Sequence, residues 1–202
     1  MPAEYPDRYS PPVDAAIDWT PGARAVLDAA SELFYARGVH AVGVEAIAER
    51  AGVTKKTLYD RFGSKDRLVL EYLAARDRRW RELVTARLDA AGAGAEERLV
   101  ALFDASGAWA AAEGGRGCAM VNAHAEVDDP EHPVHGLVVG HKRWVLGLFR
   151  DVAGRSPVPD PDATARALAL LHEGALVSYG LGALDHVFAT ARDAGLLLLR
   201  AR

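Results

Sequence analysis

Apolar side chains recur along this chain at three- and four-residue intervals, and no segment shows the two-residue alternation of a half-buried strand. Val26, Ala30, Leu33 and Phe34, followed by Arg37, lie at i, i+4, i+7, i+8 and i+11, which is one face of a helix. Thr20 before Pro21 predicts its start: a threonine side chain accepts from an orphan amide, and proline at the first helical position has no amide to waste. Gly38 predicts its end, giving a helix over 21–37. A short helix follows over 44–50, with Val44, Ile47 and Ala48 on one side, and Ala51, Gly52 and Val53 break it. A third helix begins near Thr54 and turns Leu58 and Phe62 inward until Gly63 and Ser64 stop it.

Ser64 caps a long fourth helix. Leu68, Tyr72, Leu73, Trp80, Leu83, Val84 and Leu88 mark its apolar face, Arg76, Arg78, Arg79 and Arg81 its solvated one, and the glycines from Gly92 end it. Beyond it the pattern predicts helices over 95–112, 117–127, 133–153, 161–184 and 186–200, the fourth of these opened by Asp160 and Pro161. The expected fold class is therefore all-α. Residues 1–19, rich in Pro, Asp and Tyr and without helical periodicity, read as a flexible arm.

Length and composition refine this picture. The 202 residues are 50% hydrophobic and 26% charged, which is enough for a buried core and outside the range of a disordered chain. No apolar run nears the roughly 20 residues that a spanning helix needs, so no membrane partner is expected. The N-terminus lacks the basic-then-apolar order of a secretory signal, and the cytoplasm is the expected compartment.

The formal charge of −4 conceals an uneven distribution. Residues 1–49 carry 3 Lys or Arg against 8 Asp or Glu, whereas 50–67 carry Arg50, Lys55, Lys56, Arg61, Lys65 and Arg67 against only Asp60 and Asp66. A basic island in an acidic chain points to a polyanionic partner. It coincides with the parts of a helix-turn-helix: small Ala48 where two helices approach, Gly52 in the turn and Leu58 locking the second helix down. That second helix exposes Thr54, Lys55, Lys56, Thr57, Tyr59 and Asp60, with Arg61 beside them. A major groove about 12 Å wide admits such a helix; Lys donates to guanine O6 and N7, and Thr reads either base edge or the thymine methyl. Thr57, Tyr59 and Lys65 suit phosphate contacts, Lys65 at a helix N-terminus where free amides also favour an anion.

The run from Val44 to Asp66 resembles the DNA-binding head of the tetracycline-repressor (TetR) family, and the likeness extends over Thr20 to Asp66. The three-helix head, the aromatic pair Tyr59 and Phe62, and Ser64-Lys65 opening a long connecting helix stand where that family has them. Two positions depart from it. Gly43 replaces a Ser or Thr that caps the second helix, and Lys56 replaces a frequent Gly, adding a cation at the DNA face. The resemblance implies a DNA-binding domain over 20–66 and a helical effector-binding and dimerisation domain over 67–202. It further implies a homodimer that binds a pseudo-palindromic double-stranded DNA operator and is released by a small-molecule effector.

In the second half, Leu168, Leu171, Ala175 and Tyr179, with Gly174, Ser178, Gly180, Gly182 and Ala183 beside them, read as a seam for the twin subunit, together with Val187, Phe188, Ala191, Ala194, Leu197 and Leu198. Candidate effector-lining residues are Phe103, Trp109, Met120, Asn122, His124, Trp144, Phe149, His172 and Tyr179; plain core packing is the competing reading for each. His132 and His135, three apart, could share a metal with His124, but the Pro-rich surroundings favour solvated loop chemistry, so neither metal nor cofactor is expected. Cys118 has only Arg116 as a cation nearby in sequence and reads as a small hydrophobe. The sequence carries no nucleophile elbow, phosphate-binding loop, dinucleotide fingerprint or metalloprotease His pair, so no enzymatic activity is expected. A DNA-binding protein without an effector is the alternative.

Overall fold

The computed structural model describes residues 17–201, and within them every regular element is helical. The order is α1 (Pro21–Arg37), α2 (Val44–Ala51), α3 (Lys55–Phe62), α4 (Lys65–Asp89), α5 (Ala95–Ala112), α6 (Ala119–Glu126), α7 (Pro133–Gly154), α8 (Pro161–Leu181) and α9 (Val187–Arg200). The all-α expectation holds. The arm of the sequence reading lies outside the described residues as far as residue 16.

Two compact units emerge. The first groups the described residues up to Asp77 with Ala119–Gly140, and the second groups Arg78–Cys118 with the chain from His141 onward.

In the first unit local chemistry starts and stops each helix. The Thr20 hydroxyl accepts from the Ala23 amide at 3.2 Å, and the Gly38 amide closes α1 on the Phe34 carbonyl at 2.9 Å. Gly52 ends α2 in the left-handed region at φ 66°, which a residue with a Cβ adopts only under strain. Gly43 caps α2 without a side-chain hydrogen bond. Val26, Ala30, Ile47 and Leu58 are fully or almost fully buried, and α1 packs on both α2 and α3. Val26, Ile47 and Leu58 each contribute about 1.5–3 kcal/mol by leaving water. Trp19, assigned to the arm from sequence, sets its ring edge-on to Phe62 at 6.1 Å.

The second unit is built on mutual contacts of α5, α8 and α9. Leu99, Phe103, Phe149 and Leu168 form its dry centre. Gly195 of α9 lets that core close, because a Cβ there would stand 2.8 Å from Leu168 Cδ2. Helix α8 stops earlier than its apolar pattern predicts: Gly182 takes φ 62° and caps it, so Gly182 and Ala183 lie beyond the helix.

Candidate nucleic-acid interface

Helix α3 is held by its own N-cap and two apolar anchors. The Thr54 hydroxyl accepts from the Thr57 amide at 3.1 Å and lies 3.0 Å from the Thr57 hydroxyl, so both hydroxyls occupy one end of the helix. Leu58 is 0% and Phe62 4% exposed, which fixes the rotation of the helix and turns the opposite face outward. On that face Lys55 is 55% and Lys56 83% exposed, and Tyr59 stands in solvent as well. Thr57, Arg61 and Lys65 are half-buried.

Each of these cations leans on an oxygen of the protein. Lys55 Nζ donates to Glu45 at 2.8 Å, Lys56 Nζ to Asp60 at 2.7 Å and Arg61 to Asp18 at 2.6 Å. Lys65 Nζ reaches the His40 carbonyl at 3.4 Å. The hydrogen bond between Lys55 and Glu45 raises the lysine and lowers the carboxyl relative to their ordinary values. Ion pairs this exposed are weak and salt-screened, so a phosphate can take the place of the carboxylate. The i,i+4 pairing of Lys56 with Asp60 was readable from spacing; the reach of Glu45 and Asp18 to α3 was not.

The profile of bacterial regulatory proteins of the tetR family matches residues 26–72, which contain α2 and α3 entire. A crystal structure of a TetR-family transcriptional regulator from Streptomyces coelicolor is 34% identical, over 89% of this chain and 95% of that one, with a TM-score of 0.83. This chain belongs to the TetR family.

The HTH-type transcriptional activator FasR of Mycolicibacterium smegmatis is 54% identical over 48 residues, 24% of this chain and 22% of FasR. The chain thus spans about a fifth of the length of that curated relative. A TetR regulator from Chloroflexus aurantiacus, 20% identical over 90% of this chain and 95% of its own, shares the fold with a TM-score of 0.77. This TetR-family protein is accordingly a DNA-binding transcriptional regulator, and its fold is one of regulators rather than of enzymes. No helix among the described residues is long and apolar enough to cross a membrane.

The effector candidates divide between the two units. Phe103, Trp109, Trp144, His172 and Tyr179 belong to the second, whereas Met120, Asn122 and His124 belong to the first. Three rings meet His172: Phe149 at 5.6 Å, Phe103 at 5.9 Å and Trp80 at 6.4 Å between centroids, and Trp109 stands edge-on to Trp80 at 5.7 Å. Tyr179 packs on Phe188 at 5.5 Å, and Trp144 lies under the Arg81 guanidinium at 4.6 Å.

His172 is 3% exposed and is hydrogen-bonded to Ser106. Ser106 donates its hydroxyl proton to the Leu102 carbonyl at 2.8 Å, so its oxygen must accept from His172 Nε2 at 2.9 Å. Nδ1 then has no hydrogen-bond partner, and neither has the buried Trp80 Nε1. The nearest charge to Nδ1 is the Glu173 carboxylate at 3.9 Å. Burial alone would raise the Glu173 carboxyl, but the Lys142 ammonium, which donates to both of its oxygens, outweighs it and holds the group down at about 2.

His124 and His135 bring Nδ1 to Nδ1 at 2.7 Å. One sequence reading needs correction. Cys118 is not confined to Arg116 for a cation: α7 brings Lys142 Nζ to 3.3 Å from its sulfur.

Proposed function

We propose that this protein is a ligand-responsive repressor that binds a pseudo-palindromic operator as a homodimer and leaves it when a small-molecule effector occupies the helical domain. The observation that carries this reading is the outward face of α3, where Lys55 and Lys56 stand 55% and 83% exposed beside two hydroxyls. Thr54, Lys55 and Lys56 enter the major groove, and Thr57, Tyr59, Arg61 and Lys65 hold the flanking phosphates. The DNA-binding domain is taken as 20–66, the effector and dimer domain as 67–202, and the cytoplasm as the site of action.

Support for pairing comes from α8 and α9. Leu170, Val177 and Leu181, on one helical face, are 72%, 47% and 75% exposed, and Leu197 of α9 is 69% exposed. Leucines this naked on a folded domain mark a surface that a partner covers. The seam differs from the one its sequence pattern suggests: Leu168, Ala175, Val187 and Ala191 are buried in their own subunit. Two reading helices carried by a twin pair must fit grooves about one duplex turn, roughly 34 Å, apart, so an effector that spreads them ends binding. Selecting bound fragments from random duplex DNA tests the reading: an inverted repeat is expected, and a single unrepeated site or no enrichment overturns it. Activation in place of repression is the second reading, favoured by the 54% identity of the head to a transcriptional activator.

A further inference from the structure

Asp60 is the only acidic residue that α3 itself carries. The carboxylates that hold Lys55 and Arg61 come from elsewhere, Glu45 from α2 and Asp18 from the segment ahead of α1. Asp60 therefore travels with the reading helix, wherever that helix docks. Its side chain is 56% exposed and that of Lys56, one turn before it, 83%, with Nζ 2.7 Å from Oδ2. Both stand opposite the buried anchors Leu58 and Phe62, on the face turned outward. A carboxylate brought into the groove of a polyanion is repelled by the phosphates on either side, and only a donor on a base edge offsets that repulsion.

Major-groove edges offer such a donor at cytosine N4 and at adenine N6. Lys56 decides between them. In a G·C pair N4 stands beside guanine O6, and O6 beside N7, so an ammonium finds two acceptors next to the donor that the carboxylate takes. O6 and N4 are hydrogen-bonded to each other at about 2.9 Å, a spacing that Nζ and Oδ2 match at 2.7 Å. In an A·T pair a carboxylate on N6 faces the adenine N7 lone pair, and the ammonium keeps only thymine O4. We infer that Lys56 and Asp60 read one G·C pair together: Lys56 turns from Asp60 to guanine O6 and N7, and the freed carboxylate accepts from cytosine N4–H. Asp60 is thereby a specificity-determining residue, because with the pair reversed it meets guanine acceptors while Lys56 meets a donor. The inference rests on the proposed docking of α3 in the major groove.

Selection from random duplex DNA, followed by binding isotherms, tests it on three duplexes: the selected inverted repeat, the same repeat with the G·C pair of each half-site changed to A·T, and a scrambled sequence. Native protein should select G·C at one position of each half-site and lose about tenfold in affinity when A·T replaces it. Asp60→Ala should bind the repeat more weakly than native protein but the scrambled duplex more tightly, and its discrimination between G·C and A·T should fall by about threefold. Asp60→Asn keeps the shape without the charge and suits adenine N6 and N7, so preference at that position should move toward A·T. The opposite signs on repeat and scrambled duplex separate a base contact from general repulsion. Tighter binding of Asp60→Ala to both duplexes, or the same bases selected by native protein and both variants, overturns the proposal and leaves the docking of α3 standing. A native protein that selects no repeat overturns both.

Discussion

The Glu126 carboxylate, at the end of α6, accepts a hydrogen bond from the His40 backbone amide at 2.8 Å, joining positions 86 residues apart. The same carboxylate occupies the space beside Gly38, where a Cβ would stand 2.7 Å from both of its oxygens at φ 91°. The turn that leads from α1 into the helix-turn-helix is thus gripped by a residue remote in sequence, while Lys65 reaches its His40 carbonyl. Replacing Glu126 by Ala removes a charged acceptor from an exposed amide and should cost about 1 kcal/mol. Gly38→Ala should cost more, about 1–3 kcal/mol, because backbone strain adds to the displaced carboxylate. Urea titration ranks the two, and hydrogen exchange at the His40 amide should quicken in Glu126→Ala; unchanged exchange would show that the contact does not protect the turn.

On the proposed reading of α3, Lys65 and Lys56 have separable roles. Lys65→Ala should weaken binding about equally on every DNA sequence and make the salt dependence shallower by about one unit, as for one lost phosphate contact. Lys56→Ala should cost about 1–3 kcal/mol on the selected operator and relax preference at one base pair. Its Asp60 partner already offers it a carboxylate at 2.7 Å, so part of the loss is offset by ending that competition. Salt-dependent binding isotherms on operator and scrambled duplexes decide both, and equal Lys56→Ala losses on the two duplexes would move that residue to the backbone.

What was legible in the chain was its local chemistry. Thr20 with Pro21 and Asp160 with Pro161 announce α1 and α8 because capping involves atoms three residues apart, and the Asp160 carboxylate does accept from the Ala163 amide at 2.9 Å. The orientation of α3 followed from Leu58 and Phe62 for the same reason. Tertiary pairing was not legible. Nothing in the spacing of Glu45 and Lys55, or of Cys118 and Lys142, distinguishes them from other charged or polar residues until packing brings them together. Helix α8 shows the limit most clearly, because it is apolar on more than one face. Leu168 and Leu170 are equally hydrophobic letters, yet one is 0% and the other 72% exposed.

The Lys142–Glu173 pair makes stability depend on pH in a stated window. The Glu173 carboxyl goes from an ordinary 4.5 in the unfolded chain to about 2 in the folded one. A depressed folded value means the folded state is favoured above the unfolded value and loses that advantage as pH falls from 4.5 toward 2. At full coupling the shift corresponds to roughly 3 kcal/mol, and partial exposure discounts it to about 1–2 kcal/mol. Glu173→Gln should flatten the acid limb of the stability curve by that amount, measured by urea unfolding at pH values through the window. An acid limb identical to that of the native protein would mean other carboxyls carry it.

The exposed leucines of α8 and α9 bear on the proposed homodimer. Leu170 and Leu181, eleven residues and three helical turns apart, place two bare side chains on one face, 72% and 75% exposed. Burying that surface against a twin recovers about 25 cal/mol for each Å² of apolar area removed from water, and a glutamate at either position would have to be desolvated in the same place. The Leu170→Glu, Leu181→Glu double variant should therefore elute as a monomer by light scattering with its helical content intact, since neither side chain supports its own subunit's core. Operator affinity should fall with it, because a lone head keeps only half of the contacts on an inverted repeat. Helical content guards the inference against misfolding. A native protein that is already monomeric at micromolar concentration, or a double variant that remains paired, places the subunit contact elsewhere or removes it from the mechanism.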